Sequence, residues 1–170
     1  RACARGMVTT VVLFFCAAAT TALAIRQTLI FPLQPHKLPL PKADDELRGA
    51  ALRLESHIRA VASVPHNLAH PAALEAAASY IETRLGAFGL YATRHVFEVR
   101  GRPVRNIEIV FEPNAADAER GTIVLCAHYD SDGESPGAND NGTGVAALLE
   151  IASRMAAKPP ALSRRLRLVS

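Results

Sequence analysis

A chain of 170 residues, 49% hydrophobic, is long enough for one modest domain with its own core. Its net charge of +3 is too small to argue for nucleic acid, and nothing in it resembles a basic groove interleaved with stacking aromatics. Of its three cysteines, Cys3 and Cys16 fall in the amino-terminal segment, so Cys126 is the domain's single thiol and no internal disulfide is available.

Arg1 and Arg5 precede an apolar run from Val8 to Ile25, broken only by threonines and followed by Arg26. With no polar face it reads as a targeting segment rather than a core helix. It is either a signal peptide cleaved after Ala22-Leu23-Ala24 or an uncleaved anchor, and apolar character resuming at Leu29 to Leu33 favours the anchor. Residues 1–30 are therefore assigned as signal or anchor, and the protein as exported: membrane-anchored, secreted or periplasmic. The sequence opens on Arg1, so it is expected to begin mid-sequence or to be translated from Met7. Pro32, Pro35, Pro39 and Pro41 make residues 31–43 a stiff linker, with His36 inside it.

The domain is assigned to residues 44–170. Asp44 and Asp45 cap a first helix whose apolar stripe is Leu47, Ala51, Leu54, Ile58 and Val61. His66-Asn67-Leu68-Ala69-His70 has the i, i+4 histidine spacing of zincin motifs, but it lacks their Glu and lies between Pro65 and Pro71, which makes it a loop. A second helix starts at Pro71, with Leu74, Ala77, Ala78, Ile81, Leu85 and Phe88 on one face and Gly86 or Gly89 at its end. Strands at Thr93–Arg100 and Arg105–Glu112 form a hairpin through Gly101-Arg102-Pro103. His57 and His95 in these elements read as structural.

Thr122 to Ala127 is a short apolar run that suits a strand buried on both faces. Side chains alternate along a strand, so His128 and Asp130 leave its end on the same side. An Asp two residues from a ligating His can accept the proton of the ring nitrogen facing away from the metal, which casts Asp130 as the residue that orients His128. A loop rich in Gly, Pro, Asp and Asn, residues 132–142, then delivers Asp140 just before a helix with Val145, Leu148, Leu149, Ala152 and Met155 on one face. That places Asp140 beside the helix's positive end, over the carboxyl ends of the strands. Asn141-Gly142-Thr143 matches a glycosylation acceptor but is read as a chance match, since a glycan would crowd Asp140. Arg165 to Ser170 is a last strand, expected to leave an unpaired sheet edge with the preceding helix only partly covered. No internal repeat is present.

The string His128-Tyr129-Asp130-Ser131, a short loop, then Pro136-Gly137-Ala138-Asn139-Asp140-Asn141-Gly142-Thr143-Gly144 leading into Val145-Ala146-Ala147-Leu148-Leu149-Glu150, closely resembles the di-zinc exopeptidases of the bacterial leucyl aminopeptidase and glutamate carboxypeptidase type. The resemblance extends upstream to about Asp45, including an Asn matched by Asn106, while Cys126 replaces a small Gly common in the family. It implies that His128 ligates one zinc, that Asp140 bridges two across a cis Asp140–Asn141 peptide, and that Asp130 orients His128. The implied fold is a layered α/β/α sandwich with a mixed, mostly parallel sheet, incomplete at its carboxyl end.

The family also requires a Glu-Glu pair just after the next strand, a further acidic ligand and a distant His, and none is matched before Ser170. Two zincs need about five protein ligands and only two are matched, so the chain is expected to be an inactive fragment of a zinc-dependent exopeptidase, most simply an aminopeptidase acting on peptides. The alternatives are a glutaminyl-cyclase-like acyltransferase with one zinc, or a non-catalytic domain of the same fold.

Overall fold

The computed structural model describes residues 13–25, 42–113 and 121–170 and divides into two compact units, 1–42 and 43–170. In the first unit residues 13–25 form helix α1, fully exposed, in which the Thr20 hydroxyl donates back to the carbonyls of Cys16 and Ala17. Among the described residues no helix is long and apolar enough to cross a membrane. The proline-rich stretch and His36 lie outside the described residues.

The second unit runs α2 (Asp45–Val61), α3 (Pro71–Ala87), β1 (Thr93–Val99), β2 (Arg102–Phe111), β3 (Thr122–Cys126), α4 (Thr143–Ala157) and β4 (Arg165–Val169). Asp44 caps α2 as expected, its carboxylate accepting the Leu47 amide at 2.7 Å. The buried face of α2 is Ala50, His57 and Val61, with Leu54 and Ile58 half-buried, and Leu47 points to solvent. The buried stripe is thus rotated from the expected one, and the Arg53–Glu150 and Glu46–Arg154 ion pairs join α2 to α4 beside it. Helix α3 starts on Pro71 and buries Ala77, Ala78, Ile81 and Leu85. It ends in a Schellman turn: Gly89, at φ 77°, donates to the Gly86 carbonyl and Leu90 to that of Leu85, a conformation that favours glycine.

The sheet is mixed and open, in the order β1-β2-β4-β3. β1 pairs antiparallel with β2, β2 antiparallel with β4, and β3 parallel with β4. This is the expected α/β class with a mixed sheet, but two of its three described pairings are antiparallel, so the sheet is not mostly parallel as expected. The helices stack on the sheet face that carries Ile107, Ile109, Leu166 and Leu168, which close a core with Ala78, Ile81, Leu85, Val145 and Leu149.

Three further expectations change. The hairpin turns at Arg100 and Gly101, both at positive φ, and Arg102 and Pro103 belong to β2, where β4 has not yet begun to pair. β3 is not buried on both faces: among the described residues it is an edge strand bonded only to β4, and Ile123, Val124 and Leu125 are 45%, 51% and 37% exposed. The last strand is accordingly no edge. β4 lies between β2 and β3, the edges of the described sheet are β1 and β3, and α4 is well covered, with Val145, Leu148, Leu149 and Ala152 buried.

Charged side chains lock the layers. On β2, Glu108 is buried and bonded by His95 and Arg167, which hold its carboxyl below the usual range, Arg167 most strongly. Arg105 is clamped by Glu75 and Glu82 of α3. Buried Glu150 of α4 takes Arg53 of α2 on both oxygens, at 2.9 and 2.7 Å, and Arg154 at 2.8 Å. Arg53 and then Arg154 pull its pKa from 4.5 down to about 2, against the burial that favours the neutral acid. A depressed carboxylate contributes stability that is complete above its unfolded pKa and lost as pH falls through the folded one. We expect acid denaturation to draw on Glu150 between about pH 4.5 and 2. The measurement is thermal stability against pH for wild type and Glu150→Gln, and the variant should lose stability at neutral pH and show a flatter profile in that window.

Candidate metal centre

The chain leaves β3 at Cys126 in extended form, with Ala127 and Tyr129 buried and His128 and Asp130 outward. Tyr129 is fixed by its hydroxyl, which donates to the Arg105 carbonyl at 2.8 Å. Ala127 donates to the Val169 carbonyl, so the two residues flanking His128 are anchored to β4 and β2. The loop then folds back and brings Asp140 to His128, twelve residues away in sequence.

Two close approaches make this possible. Gly137 sits at φ 68°, and a Cβ there would meet the Asp140 carbonyl at 2.9 Å and the Ser131 Cβ at 3.0 Å. At Gly144, in the first turn of α4, a Cβ would lie 2.3 Å from Asn141 Oδ1 and 2.9 Å from the Ala127 Cβ. The helix start therefore abuts the end of the metal strand. Asn141 Oδ1 accepts the Gly144 amide at 3.1 Å, capping α4 with the side chain that matched a glycosylation signal. The Asp140–Asn141 peptide is cis, as the resemblance implied.

The three sequence-predicted residues converge. His128 Nδ1 lies 3.1 Å from the Asp130 carbonyl and 3.2 Å from its carboxylate, both acceptors, so Nδ1 carries the proton. In the neutral ring Nε2 is then a lone pair, and it faces Asp140 Oδ1 at 3.0 Å. Two lone pairs at that distance need a cation between them: a proton on Nε2, or a metal. Two donors about 2.0 to 2.1 Å from one zinc ion at a tetrahedral angle lie about 3.3 Å apart, so a few tenths of an ångström of opening admits the ion. Nitrogen and carboxylate oxygen are zinc's ligand types, and the donor pair fits it. Burial disfavours the imidazolium, but the Asp130 carbonyl and the Asp140 carboxylate outweigh it and raise the His128 pKa above the usual 6.5.

No group of three or more metal-ligating side chains occurs among the described residues. The other described histidines go elsewhere. His57 is buried and shares a 2.7 Å hydrogen bond with the Tyr80 hydroxyl, and burial lowers its pKa. His66 is buried with Nδ1 on the Val64 carbonyl, His70 lies 3.4 Å from Glu134, and His95 belongs to the Glu108 cluster. Beside His128 and Asp130 opens a cleft of about 210 Å³. Leu68, Leu74, Phe97 and Val104 wall it, and Asn106 reaches it from β2.

Two outcomes follow from this geometry. In metal-free protein the His128 ring should titrate above 6.5 by NMR, and Asp140→Asn should lower its midpoint; an unchanged midpoint would mean that the two side chains do not meet. Gly144→Ala, which has no room for its methyl, should destabilise the fold by about 1 to 3 kcal/mol, read as a lower Tm.

Residues 87–170 match the model of peptidase family M28. Over 125 residues the chain is 33% identical to the vacuolar membrane protease of Schizophyllum commune, an alignment covering 66% of this chain and 14% of that protein. A leucine aminopeptidase precursor from Bacteroides thetaiotaomicron superposes with a TM-score of 0.50 at 25% identity, over 78% of this chain and 48% of the other. The glutaminyl cyclase of Fimbriiglobus ruber superposes with a TM-score of 0.56 over 81% of this chain and 48% of its own, at 18% identity, a likeness of fold alone. The chain thus spans under half the length of each of these proteins. Over residues 87–170 the family that it resembles is peptidase family M28.

Proposed function

We propose that the complete protein is a zinc-dependent exopeptidase, in the first instance an aminopeptidase, with His128 as ligand to one zinc, Asp140 as the carboxylate bridging two, and Asp130 as the residue orienting His128. The observation that carries the reading is the approach of the His128 Nε2 lone pair to the Asp140 carboxylate at 3.0 Å, with the far ring nitrogen already committed to Asp130. Zinc bound there supplies a water of near-neutral pKa and polarises the scissile carbonyl. The chain's own contributions are to hold the imidazole in one tautomer and to present the carboxylate from a turn closed by the Gly142 amide on the Gly137 carbonyl. The apolar cleft bordering both His128 and Asp130 gives a peptide side chain a place to lie.

Two donors fall short of the roughly five that a di-zinc site takes, so on its own the 170-residue chain should bind zinc weakly and not turn over peptides. The apolar segment that contains α1, together with the likeness to a vacuolar membrane protease, supports a protein delivered to or across a membrane. Glutaminyl cyclases share the fold, and a one-zinc acyl transfer is the second reading.

Metal analysis and turnover of the complete protein test these assignments. Wild type should carry about two zinc ions per chain and hydrolyse a leucyl anilide. His128→Ala and Asp140→Ala should lose metal and activity, Asp140→Ala more completely because it touches both ions. Asp130→Asn should keep metal with a 10 to 100-fold loss of affinity or rate. Unchanged zinc in Asp140→Ala would refute the ligand assignment, and cyclisation of a glutaminyl peptide without anilide hydrolysis would move the protein to the acyltransferase reading.

A further inference from the structure

We propose that the loop between α2 and α3, residues 62–70, is a brace for the metal loop, and that Ser131 is the positioning residue through which it acts on His128, Asp130 and Asp140. The proposal rests on the zinc reading of that pair and assigns a role to the His66–His70 segment, whose histidine spacing is not used for metal.

The contact is reciprocal and buried. The His66 amide donates to Ser131 Oγ at 2.8 Å, and the Ser131 amide donates to the His66 carbonyl at 2.9 Å. His66 is 2% and Ser131 4% exposed, so neither bond can be exchanged for water without moving the loop. His66 is in turn held by its ring, through Nδ1 on the Val64 carbonyl. One residue on, Asn67 Nδ2 donates to the Gly133 carbonyl at 2.8 Å while its Oδ1 accepts the Ala69 amide. His70 lies 3.4 Å from Glu134. Three successive contacts therefore run along the start of the metal loop.

Ser131 directly follows Asp130, so fastening it sets the direction in which the Asp130 carbonyl and carboxylate leave the strand, and both of these face His128 Nδ1. On its other side Ser131 lies against Gly137 with no space for a side chain there. The Gly137 carbonyl accepts the Gly142 amide at 2.9 Å, closing the turn that carries Asp140. One side chain thus touches both halves of the donor pair through the backbone. The bonds join loop to loop and contribute no helix or sheet pairing. Their removal should consequently act on the site more than on the fold.

The test is zinc titration of the full chain, with zinc alone as probe, at a temperature where every variant is folded by circular dichroism. Ser131→Ala removes the acceptor of the His66 amide. Asn67→Asp keeps the acceptor for Ala69 but loses the donor to Gly133, a milder change at a solvent-exposed bond. Tyr80→Phe, which breaks the buried pair with His57 away from the metal loop, is the control for lost stability. Ser131→Ala should weaken zinc by about 10-fold and Asn67→Asp by a smaller factor, with Tyr80→Phe lowering Tm and leaving zinc affinity at the wild-type value. Wild-type affinity in both loop variants would overturn the brace while leaving the zinc reading standing. Equal loss of affinity in Tyr80→Phe would reduce Ser131 to a stability residue, also against the proposal. Failure of the wild-type chain to bind zinc at all, under conditions where Asp140→Ala is indistinguishable from it, would remove the zinc reading and the brace with it.

Discussion

The site depends on one steric constraint: the first turn of α4 must press against the end of β3. At Gly144 a single methyl group would collide with both Asn141 and Ala127, so the helix can start where it does only because that position is bare. Everything else follows from the closeness. Asn141 can cap the helix, the loop between strand and helix is forced into a tight return, and Asp140 arrives 3.0 Å from His128. A looser junction would leave the two side chains apart, an ordinary His and an ordinary Asp with nothing to favour a cation between them.

Around that junction the molecule separates two kinds of polar interaction. Glu108 ties β1 and β4 to β2, Glu150 ties α2 to α4, and Arg105 ties α3 to the sheet, each through charged or hydrogen-bonding partners on another element. The polar contacts at the metal loop are different: they orient a histidine whose remaining nitrogen faces a carboxylate across a gap. A buried ion pair made with good geometry is finished chemistry. The His128–Asp140 pair, 52% and 82% exposed at its side chains, is not buried, and it is reachable by an ion and by a substrate in the adjoining cleft.

How much of this could be read from the sequence depended on range. His128, Asp130 and Asp140 were legible because a strand end, a turn-rich loop and a helix start are local signals, and the resemblance to di-zinc exopeptidases rests on the same contiguous string. The cap on α2 and the start and end of α3 were legible for the same reason. The rank of the strands was not. That β4 lies inside and β3 at the edge is decided by pairing between segments some 40 to 60 residues apart, so an apolar run such as Thr122 to Cys126 looked doubly buried although its outer neighbour is absent among the described residues. Ser131 lay inside the recognised string, but nothing local marked its role, since its partner His66 is 65 residues distant and only the fold brings the His66 amide to its hydroxyl. Asn141 did carry a signal, as a residue type suited to capping, but a competing motif masked it.

The central claim is that His128 and Asp140 together hold a metal ion through Nε2 and a carboxylate oxygen. X-ray absorption at the zinc edge of the zinc-loaded complete protein tests it most directly, comparing wild type with His128→Ala and Asp140→Ala. The account predicts a first coordination sphere of nitrogen and oxygen only, with imidazole scattering reduced in His128→Ala and an oxygen contribution reduced in Asp140→Ala. A sphere containing sulfur from Cys126, or one that neither substitution alters, would contradict it.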